Sequence, residues 1–552
     1  MSRTIKPYQF ILMIILLGMV FLLPFLGSVN LLDWDELIFA ESAREMMISG
    51  DYLTVSINFE PFFEKPPLFI WMQVASMKLF GINEFAARFP NVICGILTLI
   101  VLFLIGKKLH GSRFGMLWVM SYASALLPFF YFRTGLIDPW FNLFIFLGIY
   151  FIVLYLDPEE QKIRRRNIAL SALFTGLAIL TKGPVAFLLI AIGGLTYLFL
   201  RRGKVKIHWM DVLIYVAVLL VVGGSWFIAS ILNGNLQVIK DFIAYQADLF
   251  ASDFAGHSGF PGFHLVIILL GVFPASVLAL GAITRKQEDT SLRRDFRLWM
   301  TIILVLVLVI FSIVETKLVN YSSLAYFPVT FLAAREMDMW LGRQREIWKW
   351  QVWLLGAVSF LLSGMVILTV TQFTFPVYMQ EHFPAIASFF NRHVPVGKSW
   401  GILYYLPAIL LFPGILPALR FIYRRDARGI FLLHILAFIF INSAIYMYAP
   451  RIEKQMQGAA IEFFKEHSGP DQVVATLGYR SFAQYFYGER MPGELDQQAK
   501  SSWFTKSGPQ KPIYVVIKAE NAGKVFARFP ELQRIGESHG YVFGLYEHEA
   551  KD

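Results

Sequence analysis

The sequence has one cysteine, few charged residues and no recognisable cofactor motif. Cys94 is the single cysteine among 552 residues and falls within an apolar run, so a disulfide framework and a cysteine-based metal site are excluded. No Gly-x-Gly-x-x-Gly loop, Walker motif or His-x-x-x-His pair occurs, and no acidic cluster has metal-ligand spacing. The sequence therefore indicates no cofactor and leaves a requirement for a divalent metal open.

Charge is scarce because apolar residues dominate. Charged side chains make up 16% of the chain and hydrophobic ones 57%, which excludes an ordinary soluble enzyme and indicates a polytopic membrane protein. The net charge of +10 comes from short basic clusters between apolar runs. That pattern is typical of loops under the positive-inside rule, so we expect membrane lipids, and no nucleic acid, as partners.

About thirteen apolar runs are long enough, or nearly so, to cross a bilayer. The first, residues 10–29, has the charge order of a signal peptide but lacks an Ala-x-Ala cleavage pattern, so we predict an uncleaved span. The other runs are residues 85–105, 114–131, 139–156, 168–180, 185–200, 212–232, 263–283, 298–314, 321–334, 352–371, 401–419 and 430–448.

The distribution of Lys and Arg predicts the orientation of these spans. With a cytoplasmic N-terminus every inner connection is basic, as in residues 164–166, and the outer connections carry far fewer basic residues. An odd number of spans then places the C-terminus outside. We therefore predict a multi-pass protein of the cytoplasmic (inner) membrane with an external C-terminal region.

Acidic residues follow the first span directly and open an outer segment, residues 30–84. Asp35 and Glu36 are predicted at a membrane–water boundary, where partial desolvation makes the pKa of a carboxylate tunable and the group a functional candidate. The alternative is a helix cap. Asp33 and Glu36 also fit a capping box for a helix over residues 34–48.

A second short helix is predicted in the same outer segment, over residues 68–80. It follows Glu64-Lys65-Pro66-Pro67, in which a candidate ion pair precedes two prolines, and it ends at Gly81. Because this helix is too short to span, we expect it and the helix after Asp35 to lie along the membrane surface.

Further candidates lie where later spans end. Arg133 and Asp138 flank the outer connection between the third and fourth spans, although Asp138 fits a helix cap before Pro139 equally well. Lys182, in Thr181-Lys182-Gly183-Pro184, has the charge to bind phosphate or to snorkel to the interface. His257 lies in a glycine-containing loop, residues 233–262, predicted to be mobile; it either reaches the cavity or is simply solvated.

The segment Glu315-Thr316-Lys317-Leu318-Val319-Asn320-Tyr321 joins two spans at the outer face. An ammonium and a phenol four residues apart are predicted to donate to one phosphate from one helical turn. The alternative is a snorkelling lysine with a tyrosine of the aromatic belt.

Composition changes after residue 449, and residues 450–552 contain no span. A helix over residues 452–466 and strands over 472–477, 513–518 and 541–546 predict a small external α/β domain. The chain is thus divided into a transmembrane region, residues 1–449, and this C-terminal domain.

Four motifs of the first outer segment carry a resemblance to a known family: Asp35-Glu36, Ser49-Gly50-Asp51, Glu64-Lys65-Pro66-Pro67 and the run from Phe80 to Arg88. In order and spacing they resemble the membrane glycosyltransferases related to protein O-mannosyltransferases and to the aminoarabinose transferase of lipid A. Similar Lys-Gly-Pro and Lys-Leu elements occur at Lys182 and Lys317. The chain departs from the family at Tyr245-Gln246, where Glu-His is frequent.

The resemblance implies an all-α polytopic fold of the C-type glycosyltransferases and a polyprenyl-phosphate-sugar donor. It implies Asp35 and Asp138 as catalytic acids and places Glu64 and Lys65 in one cavity. We expect Glu36, Lys182 and His257 to line that cavity as well. Lys65, Lys317, Tyr321 and Arg133 are then candidates for binding donor phosphate.

The acceptor stays open between a lipid and a protein hydroxyl. Two other classes also stay open. A transporter or flippase of lipid-linked sugars would need polar groups at mid-membrane, whereas these acids crowd at one face. In a non-catalytic assembly protein the acids would serve only as caps.

Overall fold

The computed structural model describes residues 6–62, 64–202, 205–251, 259–283, 290–314, 316–344, 346–393, 400–494 and 511–547. Most of these residues are helical. The first helix, α1 (Pro7–Leu22), packs on α4 (Glu84–His110). Between them in sequence lie two shorter helices, α2 (Asp35–Ser49) and α3 (Leu68–Phe80), and a hairpin of β1 (Ser56–Ile57) and β2 (Glu60–Pro61). Both predicted short helices are confirmed, α3 with the predicted bounds.

The capping box predicted for α2 does not form. The helix begins one residue later than expected, with Trp34 at the N-cap and no side-chain cap bond. Asp33 instead accepts hydrogen bonds from the backbone N–H groups of Trp34 and Phe482, at 2.8 and 2.9 Å. The helix does end as predicted, since Gly50 takes the left-handed conformation, φ 73°, that glycine adopts readily.

Most of the remaining helices of the apolar region follow the predicted runs. In chain order the remaining helices are α5 (Ser112–Ala123), α6 (Leu126–Tyr131), α7 (Asp138–Leu156), α8 (Arg164–Lys182), α9 (Val185–Leu200), α10 (Trp209–Gly223), α11 (Ser225–Leu232), α12 (Leu236–Ala251), α13 (Phe263–Gly271), α14 (Ala275–Ile283), α15 (Ser291–Ile313), α16 (Tyr326–Leu341), α17 (Lys349–Thr374), α18 (Pro376–His382), α19 (Pro384–His393), α20 (Leu406–Tyr423) and α21 (Arg428–Glu453). Helices α12, α18 and α19 lie outside the predicted runs.

By length and apolar composition, 6 helices among the described residues are able to cross a membrane, or up to 8 if two bent pairs each count as one span. The pairs are α10 with α11, bent by 53°, and α13 with α14, bent by 110°. The expected mostly helical polytopic membrane protein is therefore confirmed. Helix α12 occupies much of the range predicted as a mobile loop, because Ile239 and Phe242 are buried near Trp226.

Close helix contacts fix the ends of the spans that carry the candidate residues. Helices α7 and α8 pack along each other, and α8 also packs on α10. Gly176 and Gly223 allow α8 and α10 to approach closely, because a Cβ on Gly176 would lie 2.9 Å from the backbone nitrogen of Gly223. Such small-residue contacts let helix backbones approach closely in membranes.

The C-terminal part contains a small mixed sheet. Helix α22 (Ala459–Glu466) continues from α21 through a π-helical turn, and α23 (Ala483–Phe486) and α24 (Ala519–Arg528) follow. Strands β3 (Val473–Leu477), β4 (Ile513–Lys518), β5 (Gln533–Ser538) and β6 (Tyr541–Tyr546) pair in the order β3-β4-β6-β5, with only β3 and β4 parallel. Three of the four strands were predicted, two of them with these bounds.

Candidate functional site

Asp35 is the first residue of α2 and faces charged groups from three other segments. Its carboxylate interacts electrostatically with Lys65, Asp138 and Lys182. The side chain is solvent-accessible even though protein surrounds it closely, which is the situation of a group that lines a recess. Burial raises the pKa of Asp35 above its ordinary value, Lys65 opposes this rise and Asp138 adds to it. A raised pKa makes a carboxylate a better proton acceptor near neutral pH.

Asp138 and Lys182 form an ion pair at the adjoining ends of two packed helices. Asp138 opens α7 and Lys182 closes α8, and Lys182 Nζ lies 2.5 Å from Asp138 Oδ1. Neither the helix-capping role considered for Asp138 nor the snorkelling considered for Lys182 occurs. The side chain of Asp138 makes no cap bond, because Ile137 is the N-cap of α7, and Lys182 turns inward with little exposure.

The 3-10 helix Val319–Ala325 brings Asn320 and Tyr321 to the same ion pair. Asn320 Nδ2 donates to Asp138 Oδ2 at 3.1 Å, and Lys182 Nζ lies 5.7 Å from the centre of the Tyr321 ring. Segments far apart in sequence therefore converge on one group of side chains. We refer to it as the acid–lysine cluster, comprising Asp35, Glu64, Lys65, Asp138, Lys182 and Tyr321.

Lys65 and Glu64 enter the acid–lysine cluster from the loop before α3. Burial lowers the pKa of Lys65 and nearby Lys182 lowers it further, although Glu64 and Asp35 act in the opposite direction. An additional anion in this recess would stabilise the charged form of Lys65. The cluster is therefore suited to receive a phosphate.

Lys317 does not share a helical turn with Tyr321 as the spacing predicted, since the chain is not helical at Lys317. The Lys317 ammonium donates to the backbone carbonyls of Phe311 and Ser312, at 3.0 and 2.9 Å, and to that of Val314. These carbonyls lie at the C-terminus of α15, which is electronegative. Lys317 thus closes α15, and its role in binding donor phosphate stays a prediction.

Arg133 is occupied by groups outside the acid–lysine cluster. Its guanidinium donates to the carbonyls of Phe21 and Pro24, at 2.9 and 2.7 Å, and to the Tyr446 hydroxyl at 2.7 Å. These bonds join the connection after α6 to the end of α1 and to α21. The predicted donor-phosphate role of Arg133 stays a prediction as well. His257 lies outside the described residues.

Glu36 is buried and forms hydrogen bonds to three separate segments of the chain. Its two oxygens accept hydrogen bonds from the Arg88 guanidinium at 2.8 and 2.9 Å and from the backbone N–H groups of Leu32 and Gly135 at 2.8 and 2.5 Å. Burial alone would raise the pKa of Glu36, but Arg88 and these N–H groups outweigh it and lower that pKa. Glu36 therefore holds three segments beside Asp35 together.

Sequence reasoning missed a second buried acid pair on α2, Glu41 and Glu45. The Arg44 guanidinium donates to both Glu41 oxygens at 2.7 Å, and Glu45 accepts from the Ser56 hydroxyl and the Phe59 N–H at 2.7 and 2.9 Å. Burial, and then the charge of Glu41, raises the pKa of Glu45 to about 8. The i, i+4 spacing of two acids was the available signal, since both side chains then share one helix face.

Replacing Glu45 by glutamine should make unfolding less dependent on pH. Because the pKa of Glu45 rises from 4.5 to about 8 on folding, its stabilising effect is complete below pH 4.5 and is lost as the pH rises through about 8. Glutamine keeps an acceptor oxygen without charge. At about pH 9 the variant should gain on the order of 2–4 kcal/mol relative to the native chain.

Thermal unfolding in detergent from about pH 5 to about pH 9 measures this difference. Glu60→Gln, a change of the same kind in the neighbouring hairpin, serves as the control. Parallel pH profiles for Glu45→Gln and the native chain would contradict a proton held on Glu45.

A large cavity of about 1220 Å³ adjoins the segment that leads into Asp35. It reaches Asp33 and Trp34, and its apolar wall comes mainly from helices α17 and α21. Its cationic lining residues are Arg88, Arg133, Arg480 and Lys518, of which Arg480 and Lys518 are exposed and belong to the C-terminal part. Within the described part of the chain, no group of three His, Cys, Asp or Glu side chains has the arrangement to hold a metal ion.

Several known proteins are similar in sequence to this chain. A family model described as dolichyl-phosphate-mannose-protein mannosyltransferase matches residues 64–226. The undecaprenyl phosphate-alpha-4-amino-4-deoxy-L-arabinose arabinosyl transferase of Shewanella sediminis is 27% identical over 70% of this chain and 69% of its own length. The transferase of the same name from Pseudomonas aeruginosa strain UCBPP-PA14 is 26% identical over 67% of each chain. An uncharacterised protein of Aquifex aeolicus is 25% identical over 68% of this chain and 73% of its own.

The likeness to solved structures extends over nearly the whole chain. The crystal structure of ArnT from Cupriavidus metallidurans bound to undecaprenyl phosphate has a TM-score of 0.75 and 18% identity, covering 97% of this chain and 98% of that one. The apo structure of the same protein gives 0.74 and 19%. At this level of identity the structures establish a shared fold. Together with the sequence relatives, they confirm the resemblance inferred from the motifs.

Proposed function

We propose that this chain, an ArnT-like membrane glycosyltransferase, moves a sugar from a polyprenyl-phosphate donor to a lipid acceptor at the outer face of the cytoplasmic membrane. The observation that carries the proposal is the acid–lysine cluster, which combines a carboxylate of raised pKa with partly buried ammonium groups. Such a set serves a reaction in which a proton leaves one oxygen while negative charge grows on another.

Asp35 acts on the acceptor. The acceptor oxygen forms a bond to the anomeric carbon of the sugar as the bond from that carbon to the donor phosphate breaks, and the phosphate leaves with the bonding electrons. If the acceptor is a hydroxyl, its proton passes to Asp35. If the acceptor is an already ionised phosphate, Asp35 orients it.

Lys65, Lys182 and Tyr321 act on the donor. Two ammonium groups and a phenol supply hydrogen-bond donors to the phosphate and stabilise the charge that develops on it as it leaves. Asp138 fixes Lys182 through their 2.5 Å ion pair, and Asn320 holds Asp138 from the other side at 3.1 Å. Asp138 thus contributes to catalysis by ordering the donor half of the site.

The large cavity supports a lipid acceptor. Apolar walls formed by α17 and α21 suit acyl chains, and the exposed Arg480 and Lys518 at the C-terminal part suit an anionic headgroup. A protein hydroxyl is the second candidate acceptor, and the description of the family model that matches residues 64–226 favours it.

The proposal includes the finer architecture. About thirteen spans over residues 1–449 and an external C-terminal domain, residues 450–552, place the acid–lysine cluster and the sheet on the same side of the membrane. A cytoplasmic N-terminus follows from the basic inner connections.

A cysteine at Asp471 should report this orientation. Asp471 is exposed in the turn before β3, so in a Cys94→Ser background Asp471→Cys should react with an impermeant thiol reagent in cells whose outer membrane alone is opened. Lys162→Cys, exposed between α7 and α8, should react only after the inner membrane is broken. The reverse pattern would place the C-terminus inside and refute the predicted topology.

Transfer by purified protein in detergent tests the function itself. A polyprenyl-phosphate donor with a radiolabelled sugar is incubated with extracted envelope lipid or with a mixture of envelope proteins. Label in the lipid fraction supports the proposal. Label in protein alone would assign the second acceptor class. Label in neither fraction, with donor bound but unreacted, would instead favour a transporter or a non-catalytic protein.

A further inference from the structure

The segment that leads into Asp35 is held by the C-terminal part of the chain. The Leu31 N–H donates to the Tyr487 hydroxyl at 2.7 Å, and Gln457 Nε2 donates to the Leu31 carbonyl at 2.7 Å. Gln457 Oε1 also accepts from the Asp33 N–H at 3.2 Å. The backbone just before Asp35 therefore depends on side chains more than 400 positions later in the chain.

Asp33 extends the attachment to the start of α23. Its Oδ1 accepts from the Phe482 N–H at 2.9 Å and from the Trp34 N–H at 2.8 Å, so one carboxylate oxygen ties both chain regions. The Trp34 ring packs edge-to-face on Phe482 with 5.6 Å between ring centres, and the Arg480 guanidinium lies 5.5 Å from the Trp34 ring centre. The side chain of Trp34 is thereby fixed as well as its backbone.

The backbone of Trp34 needs this support. Its φ of 74° and ψ of −116° fall in a region that residues with a side chain rarely occupy, and such strain persists only where the surroundings over-determine it. Trp34 is also the N-cap of α2, and its carbonyl accepts the first helical bond, from Ile38 N–H at 2.8 Å. The direction in which Asp35 leaves the backbone is therefore set by the conformation of Trp34.

We propose that Asp33, Gln457 and Tyr487, with the Phe482 backbone, are positioning residues that hold Asp35 in its working orientation, which makes the C-terminal part a structural component of the active site. The inference rests on the proposed function of Asp35 as acceptor base. It predicts that loosening the Asp33–Phe482 contact slows the chemical step without weakening donor binding, because misplacement of a reacting group by about 1 Å lowers rates roughly 100-fold.

The pair Asp33→Ala and Asp33→Asn tests it. Alanine removes the acceptor of both N–H groups, whereas the amide oxygen of asparagine still accepts them. Asp33→Ala should lower kcat by about 10- to 100-fold with the donor KM within about twofold, and Asp33→Asn should restore most of the rate. Asn521→Ala is the matched control, because it removes a 2.8 Å bond to the Gly478 carbonyl within the same C-terminal part, a bond in which residues 31–34 take no part.

Tyr487→Phe provides a second measurement should Asp33→Ala fail to fold. It keeps the ring and removes only the acceptor of the Leu31 N–H, and it should also lower kcat and spare the donor KM. Unchanged kcat in both Asp33→Ala and Tyr487→Phe, or an Asp33→Asn rate as low as that of alanine, would overturn the positioning role. A native chain that transfers no sugar under any condition would instead refute the proposed function and leave these contacts purely structural.

Discussion

Asp35→Asn is expected to lower the rate of sugar transfer by about 10²- to 10³-fold or more while the protein stays folded and inserted. The amide occupies the same space but has no charge and accepts no proton, so a hydroxyl acceptor would have to attack in its neutral form. The loss of a general base and of its charge in a recess typically costs 10²- to 10³-fold or more in rate. We expect kcat for the native acceptor to fall by about that factor in the radiolabel assay.

The control for this variant is Asp51→Asn in the same outer segment. Asp51 Oδ1 accepts the N–H groups of Leu53 and Thr54, at 2.9 and 3.1 Å, and an asparagine oxygen accepts them equally well. Its activity should match that of the native chain. Donor binding by Asp35→Asn should also be close to native, because Lys65 and Lys182 remain. Near-native turnover by folded Asp35→Asn protein would remove Asp35 from the mechanism.

Local signals in the sequence were sufficient for the elements that Asp35 and Lys65 flank. The two prolines before Leu68 and the glycine after Phe80 fix the bounds of α3, because proline suits a first helical turn and Gly81 takes a φ of 80°. Strands β4 and β6 were equally clear, since β4 is apolar up to Lys518 and β6 is apolar apart from Gly544. Strand β5 was missed because it is a mostly exposed edge strand without an apolar pattern.

Long-range partners account for what the sequence did not predict at the site. The capping box does not form because the distant Phe482 N–H donates to Asp33, and the Arg88 guanidinium and the Gly135 N–H donate to Glu36. No local sequence pattern indicates these partners. Lys317 has the right spacing from Tyr321, but spacing implies proximity only in a continuous helix, and α15 ends before it.

The ion pair of Asp138 and Lys182 shows which information was missing. Each residue was recognised as a candidate at the end of its own span. Their pairing depends on α7 and α8 being antiparallel neighbours whose outer ends coincide. The order of the spans along the chain does not show which of them pack together. The alternatives, capping by Asp138 and snorkelling by Lys182, therefore stay open in the sequence, and the packing of α7 on α8 decides between them.

The same pair should behave as one functional unit in a double-mutant cycle. Lys182→Met leaves the buried Asp138 carboxylate with Asn320 as its main partner, and Asp138→Asn leaves Lys182 free to move away from the donor phosphate. Each single change should lower kcat/KM for the donor by about 10²-fold or more, as lost charge donors do. Each should also destabilise the protein, because removal of one partner leaves the other charge without its ion pair, which lowers the free energy of unfolding by about 3–5 kcal/mol.

The double variant Asp138→Asn/Lys182→Met decides whether the two residues act together. If Asp138 serves mainly to place Lys182, the double variant should lose no more activity than Lys182→Met alone, and it should be more stable because no unpaired charge remains. Lys78→Met, which removes an exposed ammonium 4.6 Å from the centre of the Tyr52 ring, controls for loss of a lysine from the outer face. Multiplying losses in the double variant would mean that Asp138 and Lys182 contribute independently, with Asp138 acting directly on the substrates rather than through Lys182.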